Sequence, residues 1–210
     1  MFNWISGLIE GGGYFGLLFL MFIENVFPPI PSELIMPFAG HLAKQGEKMS
    51  FLPVVLVGSL GSMLGSLPLY FAGKKLGEKR IKEIADKHGA WLAVSGQDVT
   101  KAKKWFDSHR GLAVFGCRIV PGVRSLIAIP AGIAGMHVAQ FCALTFAGSF
   151  VWALVLATLG WLLGEQFKAV DKFLGPFSYV IVGGLVAFFA FKVWKRKQKT
   201  PRHTLTRSGG

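Results

Sequence analysis

The sequence predicts an all-α integral membrane protein, and three observations carry that reading. Of the 210 residues, 52% are hydrophobic and 16% charged, with a mean hydropathy of +0.48; ordinary soluble domains carry about 25% charged residues. Residues 51–73, 141–164 and 173–191 form uncharged runs of 23, 24 and 19 residues, and about 20 apolar residues let a helix cross the hydrocarbon core. The basic residues are segregated. Residues 74–110 hold ten Lys/Arg and five Asp/Glu, and residues 192–210 hold seven Lys/Arg and no acid, so seventeen of the 23 basic residues flank apolar runs. This is the pattern of positive-inside loops. It accounts for the net charge of +12 by topology, and no nucleic-acid-binding module is visible, so nucleic acid is not an expected partner.

In chain order, Phe2, Ile5 and Ile9 recur at helical spacing with Trp4 as an interfacial anchor, which predicts a short helix on the membrane surface over residues 1–10. No Lys or Arg precedes Lys44, so no cleaved signal peptide is expected. Residues 11–23 are thirteen uncharged residues ending at Glu24, and residues 34–43 are ten more ending at Lys44. Neither arm is long enough to cross alone, and Pro28, Pro29 and Pro31 break the backbone between them. A re-entrant helical hairpin is the economical solution. Irregular backbone at membrane depth survives only under a cover of protein or beside a water-filled cavity. The run 51–73 then spans, with Gly58, Gly61, Gly65, Ser59, Ser62 and Ser66 at spacings that permit close helix packing and would permit a homodimer. Within the basic connector, Val99, Ala102, Trp105 and Phe106 share one side of residues 97–110, which fits an interfacial amphipathic helix; a solvated charged connector fits almost as well.

Residues 111–136 repeat the earlier pattern: a short apolar arm, a break at Pro121 and Gly122 bracketed by Arg118 and Arg124, and a second short arm ending at Pro-Ala-Gly132. The halves align in order. Gly16…Glu24…Pro31-Ser-Glu33…Pro37-Phe-Ala-Gly40 matches Gly111…Arg118…Pro121…Arg124…Pro130-Ala-Gly132, Phe51 and Phe141 each precede Gly-Ser by seven positions, and each following helix ends in Leu-Gly-Glu. With both basic segments cytoplasmic, the two hairpins enter from opposite sides of the membrane, which defines an inverted-topology repeat. One membrane domain is therefore expected over residues 1–196: a first repeat at about 11–73, the cytoplasmic connector 74–110, a second repeat 111–164 and a last transmembrane helix 173–191. A disordered basic tail is expected over 197–210.

The same motifs carry a resemblance to a known family. Glu24…Pro29-Ile-Pro-Ser-Glu33 with Gly40, Phe115-x-x-Arg118-x-x-Pro121-x-x-Arg124 with Ala131-Gly132, and Phe141…Gly148…Trp152 together resemble the DedA family of membrane proteins over roughly residues 11–191. The resemblance implies paired re-entrant hairpins in the bacterial inner membrane and a role in moving lipids across it. Some members are implicated in returning undecaprenyl phosphate and others in phospholipid translocation, often with dependence on the proton-motive force. It implies that Glu24, Glu33, Arg118 and Arg124 are the essential residues. Two positions depart from the pattern: Thr145 stands where many members carry Asn, and Glu33 follows Pro-Ser where another branch has Pro-Gly-Asp.

Charged side chains inside apolar runs are costly and mark function by default. Arg118 and Arg124 offer planar, permanently charged donors suited to a lipid phosphate. Glu24 and Glu33 can pair with them in the empty site and exchange a proton as the site changes sides. Pro28, Pro29, Pro31, Gly40, Pro121, Gly122 and Gly132 are assigned to hairpin shape. An alternative has the acids merely neutralise the arginines and pin the hairpins together. Two further alternatives are a proton-coupled transporter of small cations or drugs and a non-transporting membrane scaffold. His41, His88, His109, His137 and His203 lie outside any catalytic constellation, Ser32 and Ser125 lack a sequence-visible base, and Cys117 and Cys142 have no zinc or redox spacing and read as buried small hydrophobes. No catalytic residue, metal or cofactor is expected.

Overall fold

The computed structural model describes residues 2–26, 32–46, 49–92, 95–118 and 124–164. Among them there are six helices and no strand: α1 Phe2–Val26, α2 Ser32–Gln45, α3 Phe51–Leu92, α4 Gly96–Cys117, α5 Ala128–Ile133 and α6 Val138–Leu163. By length and composition alone, Trp4–Val26, Phe51–Lys87 and Val138–Leu163 could cross a membrane. The expected helix 173–191 and tail 197–210 lie outside the described residues, as do Pro28, Pro29, Pro31, Pro121 and Gly122.

α1 is broken at Gly13 (φ 56°, ψ −133°), the last of three consecutive glycines. Glycine takes this backbone with little steric cost. Beyond it a side chain on Gly16 would overlap the Leu8 carbonyl, although eight positions along an unbroken helix are about 12 Å apart. The chain therefore folds back at Gly13. The first limb packs inward through Ile5 and Ile9 while Trp4 stays exposed. The second limb, 14–26, is about 20 Å long, short of the ~30 Å hydrocarbon core.

α2 is wrapped almost completely, with ten of its 14 residues buried, so apolar cover surrounds it rather than one stripe. Pro37 inside it cannot donate to the Glu33 carbonyl one turn earlier. α3 continues past the expected end at Gly73 to Leu92, with a break at Gly77 (φ 67°). Its extension is rich in helix-forming Lys, Glu, Ile and Ala and carries a Glu78–Lys82 ion pair of 2.5 Å at i, i+4. α4 starts under a capping box in which Ser95 Oγ accepts from Asp98 N and Asp98 Oδ2 accepts from Ser95 N. The predicted amphipathic stretch is helical up to Arg110. There Phe106 is buried, whereas Trp105 and Ala102 remain exposed. Arg110 breaks α4 (φ 27°, ψ −101°) and is the single non-glycine at positive φ among the described residues. Cys117 and Cys142 are free and only half-buried.

Three helix contacts reach backbone-to-backbone distance because a side chain is missing. On α1 and α3, a Cβ at Gly61 would overlap the Leu18 carbonyl and one at Gly65 the Phe22 carbonyl. On α2 and α6, a Cβ at Gly40 would overlap the Ala157 carbonyl and one at Gly160 the Pro37 carbonyl. On α3 and α5, a Cβ at Gly132 would overlap the Tyr70 carbonyl and one at Gly73 the Ile129 carbonyl. Small residues are what permit such approach in a membrane. Tyr70 adds a hydrogen bond from its hydroxyl to the Met136 carbonyl and stacks on Phe141, with ring centroids 4.6 Å apart. α2 thus packs on α6, and α5 on α3.

Gly160→Ala is accordingly expected to destabilise the protein by about 3 kcal/mol, because backbone on α2 must move. Gly7→Ala, where nothing lies within 4 Å, should instead be neutral or stabilise by up to about 1 kcal/mol. Thermal unfolding of both variants in detergent, against wild type, checks the contrast.

Candidate functional site

Five segments bring polar side chains to one buried cluster. The last turn of α1 supplies Glu24 and Asn25, 2% and 0% exposed. α3 supplies Ser62. Its neighbours Ser59 and Ser66 return their hydroxyls to the Val55 and Met63 carbonyls of their own helix, leaving Ser62 to reach across. Arg118 caps α4, Arg124 and Ser125 lie in the turn before α5, and α6 presents Thr145, Gly148 and Ser149 on one face. Gly148 is needed: a Cβ there would sit 2.8 Å from Arg118 Cβ and 2.9 Å from its Cγ. The bare backbone lets the arginine stem lie across α6.

The two arginines are held differently. Arg124 Nη2 is 2.9 Å from Glu24 Oε1, an ion pair whose side chains are 10% and 0% exposed. Arg118, 1% exposed, makes no ion pair among the described residues. It donates from Nη1 to Asn25 Oδ1 at 3.3 Å and from Nη2 to Thr145 Oγ1 at 3.4 Å. Its Nε has no partner among the described residues. A guanidinium only donates, so the Asn25 amide oxygen must face it. The Asn25 nitrogen then donates to the Met21 carbonyl, to Glu24 Oε1 and to Ser62 Oγ at 3.1, 3.3 and 3.1 Å. Ser125 Oγ also donates to Asn25 Oδ1, at 3.4 Å, and Ser149 Oγ to Ser62 Oγ, at 3.2 Å.

Arg118, Arg124 and Glu24 sum to one positive charge. Burying a cation without a counter-charge is unfavourable, so this cluster is suited chemically to an anion. Unpartnered buried polar atoms remain around it: Arg118 Nε, Glu24 Oε2 and, on the same face of α6 one turn beyond Gly148, Trp152 Nε1.

Glu24, Arg118 and Arg124 come together as the sequence reading expects. Glu33 sits at the start of α2, half-buried, and makes no ion pair among the described residues; the expected pairing of each arginine with a carboxylate is found for Arg124 and not for Arg118. Gly40 and Gly132 lie inside α2 and α5 at two of the close helix contacts. Asn25, Ser62 and Ser149 escaped sequence reasoning. Asn25 carried one readable signal, an amide directly beside Glu24 in an apolar run. Among the described residues no group of three or more His, Cys, Asp or Glu is arranged to hold a metal.

Apolar helices of spanning length, enclosing a buried arginine pair with one carboxylate, define a helical membrane protein with a buried charged cluster. A VTT-domain model matches residues 27–162, and the chain belongs to this family, the DedA family of membrane proteins. It is 38% identical over 194 residues to an "Alkaline phosphatase-like protein" of Lactococcus lactis subsp. lactis (strain IL1403), covering 91% of this chain and 90% of that one. It is 33% identical over 198 residues to "Undecaprenyl phosphate transporter A" of Staphylococcus aureus (strain NCTC 8325 / PS 47), covering 92% and 97%. The "Inner membrane protein YqjA" of Escherichia coli (strain K12) is 28% identical over 194 residues, covering 88% and 85%. No solved structure matches the chain.

Proposed function

We propose that this protein carries a lipid phosphate across the bacterial inner membrane, with undecaprenyl phosphate as the first candidate substrate and proton exchange at Glu24, and secondarily Glu33, as the coupling. The observation that carries the reading is Arg118: a fully buried guanidinium with neutral partners and an unpartnered Nε–H, beside a second guanidinium held by a carboxylate. The 33% identity to a protein named as an undecaprenyl phosphate transporter supports the choice of lipid. Hydrolysis fits the cluster less well. The Ser125 hydroxyl is bonded to an amide oxygen, and among the described residues no base is hydrogen-bonded to it to activate it.

The transport geometry in this reading is an inverted-topology repeat of two re-entrant hairpins. The limb 14–26 and α2 form one hairpin; residues 111–118 and α5 form the other. Positive φ supports it: Gly13 and Arg110 precede the first arms, Gly46 and Gly135 follow the second arms, and Gly77 and Gly164 fall in the two Leu-Gly-Glu sequences. The exchanged packing of α2 on α6 and α5 on α3 supports it too. Sites at such repeat interfaces serve alternating access.

In the empty site Glu24 occupies Arg124. An arriving phosphate meets Arg118 first, because that cation has no carboxylate to displace. Protonation of Glu24 releases Arg124 to close on the phosphate from the second side. After the site changes sides, loss of the proton restores the Glu24–Arg124 pair and expels the anion. In this cycle the proton and the phosphate cross in the same direction.

The test is purified protein in liposomes, offered labelled polyprenyl phosphate, labelled phospholipid, or a proton gradient alone. The reading expects polyprenyl phosphate to cross faster under an inward proton gradient. Proton or cation flux without lipid movement would overturn it.

A further inference from the structure

We propose that Asn25 is a specificity-determining residue that keeps Arg118 an uncompensated cation: its neutral amide oxygen fills the phosphate's place on the guanidinium in the empty site and yields it on binding. This rests on the lipid-phosphate reading above and assigns the division of labour within it.

The position is built with care for charge. Asn25 is completely buried and bonded to α1, α3, Arg118 and Ser125 at once. The charged groups nearest it are Glu24 on its own helix, Arg124 paired with Glu24, Arg118 on α4, and Glu33 on α2 near Glu24. α3 and α6 face it with hydroxyls, Ser62 directly and Ser149 through Ser62. A carboxylate of the same shape at position 25 would reach Arg118 as readily as the amide oxygen does, at 3.3 Å. It would neutralise that arginine, and with Glu24 on Arg124 both cations would be compensated. An amide oxygen satisfies one N–H and leaves the charge in place. The arginines therefore differ by the residue that holds them: Arg124 opens when Glu24 is neutralised, whereas Arg118 always stands ready for an anion. Asn25 is the smallest side chain that accepts from Arg118 while its two N–H groups, shared among three acceptors, fix its own amide.

The experiment measures binding of a polyprenyl phosphate, with the matching phosphate-free polyprenol as reference, to folded, monodisperse protein in neutral detergent. Asn25→Asp should weaken phosphate-dependent binding by at least about a hundredfold, since the anion must now displace a buried carboxylate from Arg118. Asn25→Ala, which removes the competing oxygen, should tighten it by about threefold. Asn25→Ser reports the same sign should the alanine variant fail to fold. Glu24→Gln with Asn25→Asp moves the acid by one residue at constant charge and should bind as weakly as Asn25→Asp, whereas Glu24→Gln alone should not. A purely structural Asn25 would lower affinity in the Ala, Ser and Asp variants alike, and that result overturns the inference. Wild-type affinity in Asn25→Asp overturns it as well. Equal wild-type affinity for polyprenyl phosphate and polyprenol would overturn the lipid-phosphate reading and this inference with it.

Discussion

Arg118→Met is expected to abolish lipid-phosphate transport and to leave the protein at least as stable as wild type. The two effects separate because, among the described residues, buried Arg118 has no ion-pair partner and its Nε is unbonded. Its guanidinium is a cost to folding that its two neutral hydrogen bonds, at 3.3 and 3.4 Å, only partly offset. Buried ion pairs and triads replaced by apolar side chains of similar volume are often neutral or stabilising, by roughly 1–4 kcal/mol, because the desolvation cost of the charges is removed, and the same cost is removed with a buried charge that has no ionic partner. Methionine follows the same path across Gly148. A residue present only to pin the hairpins would give the opposite result, a loss of stability that accounts for the loss of transport. Melting temperature and lipid flux measured on the same preparation distinguish the two.

Glu24→Leu should destabilise strongly, by about 3–5 kcal/mol, because it strands Arg124 in a site where only 10% of that side chain is exposed. The neighbouring Asn25 nitrogen loses an acceptor at 3.3 Å in the same change. Glu24→Leu combined with Arg124→Met removes both charges and should recover most of the stability while remaining inactive. The double-mutant cycle then reads the coupling directly. Independent losses that simply add would mean that the 2.9 Å pair carries no coupling. Recovered transport in the double variant would mean that neither group handles the substrate.

Much of this architecture can be read before any coordinates. The expected span 141–164 and the helix Val138–Leu163 nearly coincide, and the expected span 51–73 lies inside α3. Uncharged length is a direct reading of hydrocarbon thickness. Glu24, Arg118 and Arg124 were legible because a charge in an apolar run is expensive wherever it points. Asn25 was not legible in the same way. A neutral amide carries a smaller desolvation cost, and its importance lies in partners 37, 93 and 100 positions away. Ser62 reads as a small packing residue and Ser149 only as part of a repeated Gly-Ser, and only the contacts among α1, α3 and α6 distinguish them from Ser59, which bonds its own helix. Sequence also missed the helical continuation of α3 beyond Gly73, where Lys and Glu mark an aqueous segment without ending a helix. The break at Arg110 had no signal at all, because arginine does not favour positive φ.

The central claim is that an uncompensated buried arginine, beside an arginine held by a carboxylate, makes a site for the phosphate of a lipid. The most direct measurement is the affinity of the purified protein for a polyprenyl phosphate compared with the same polyprenol lacking phosphate, at fixed pH and salt in neutral detergent. Two charge-assisted contacts to the phosphate predict discrimination of about a hundredfold or more, lost in folded Arg118→Met. Equal affinity for the two lipids, or undiminished discrimination without Arg118, would contradict the account.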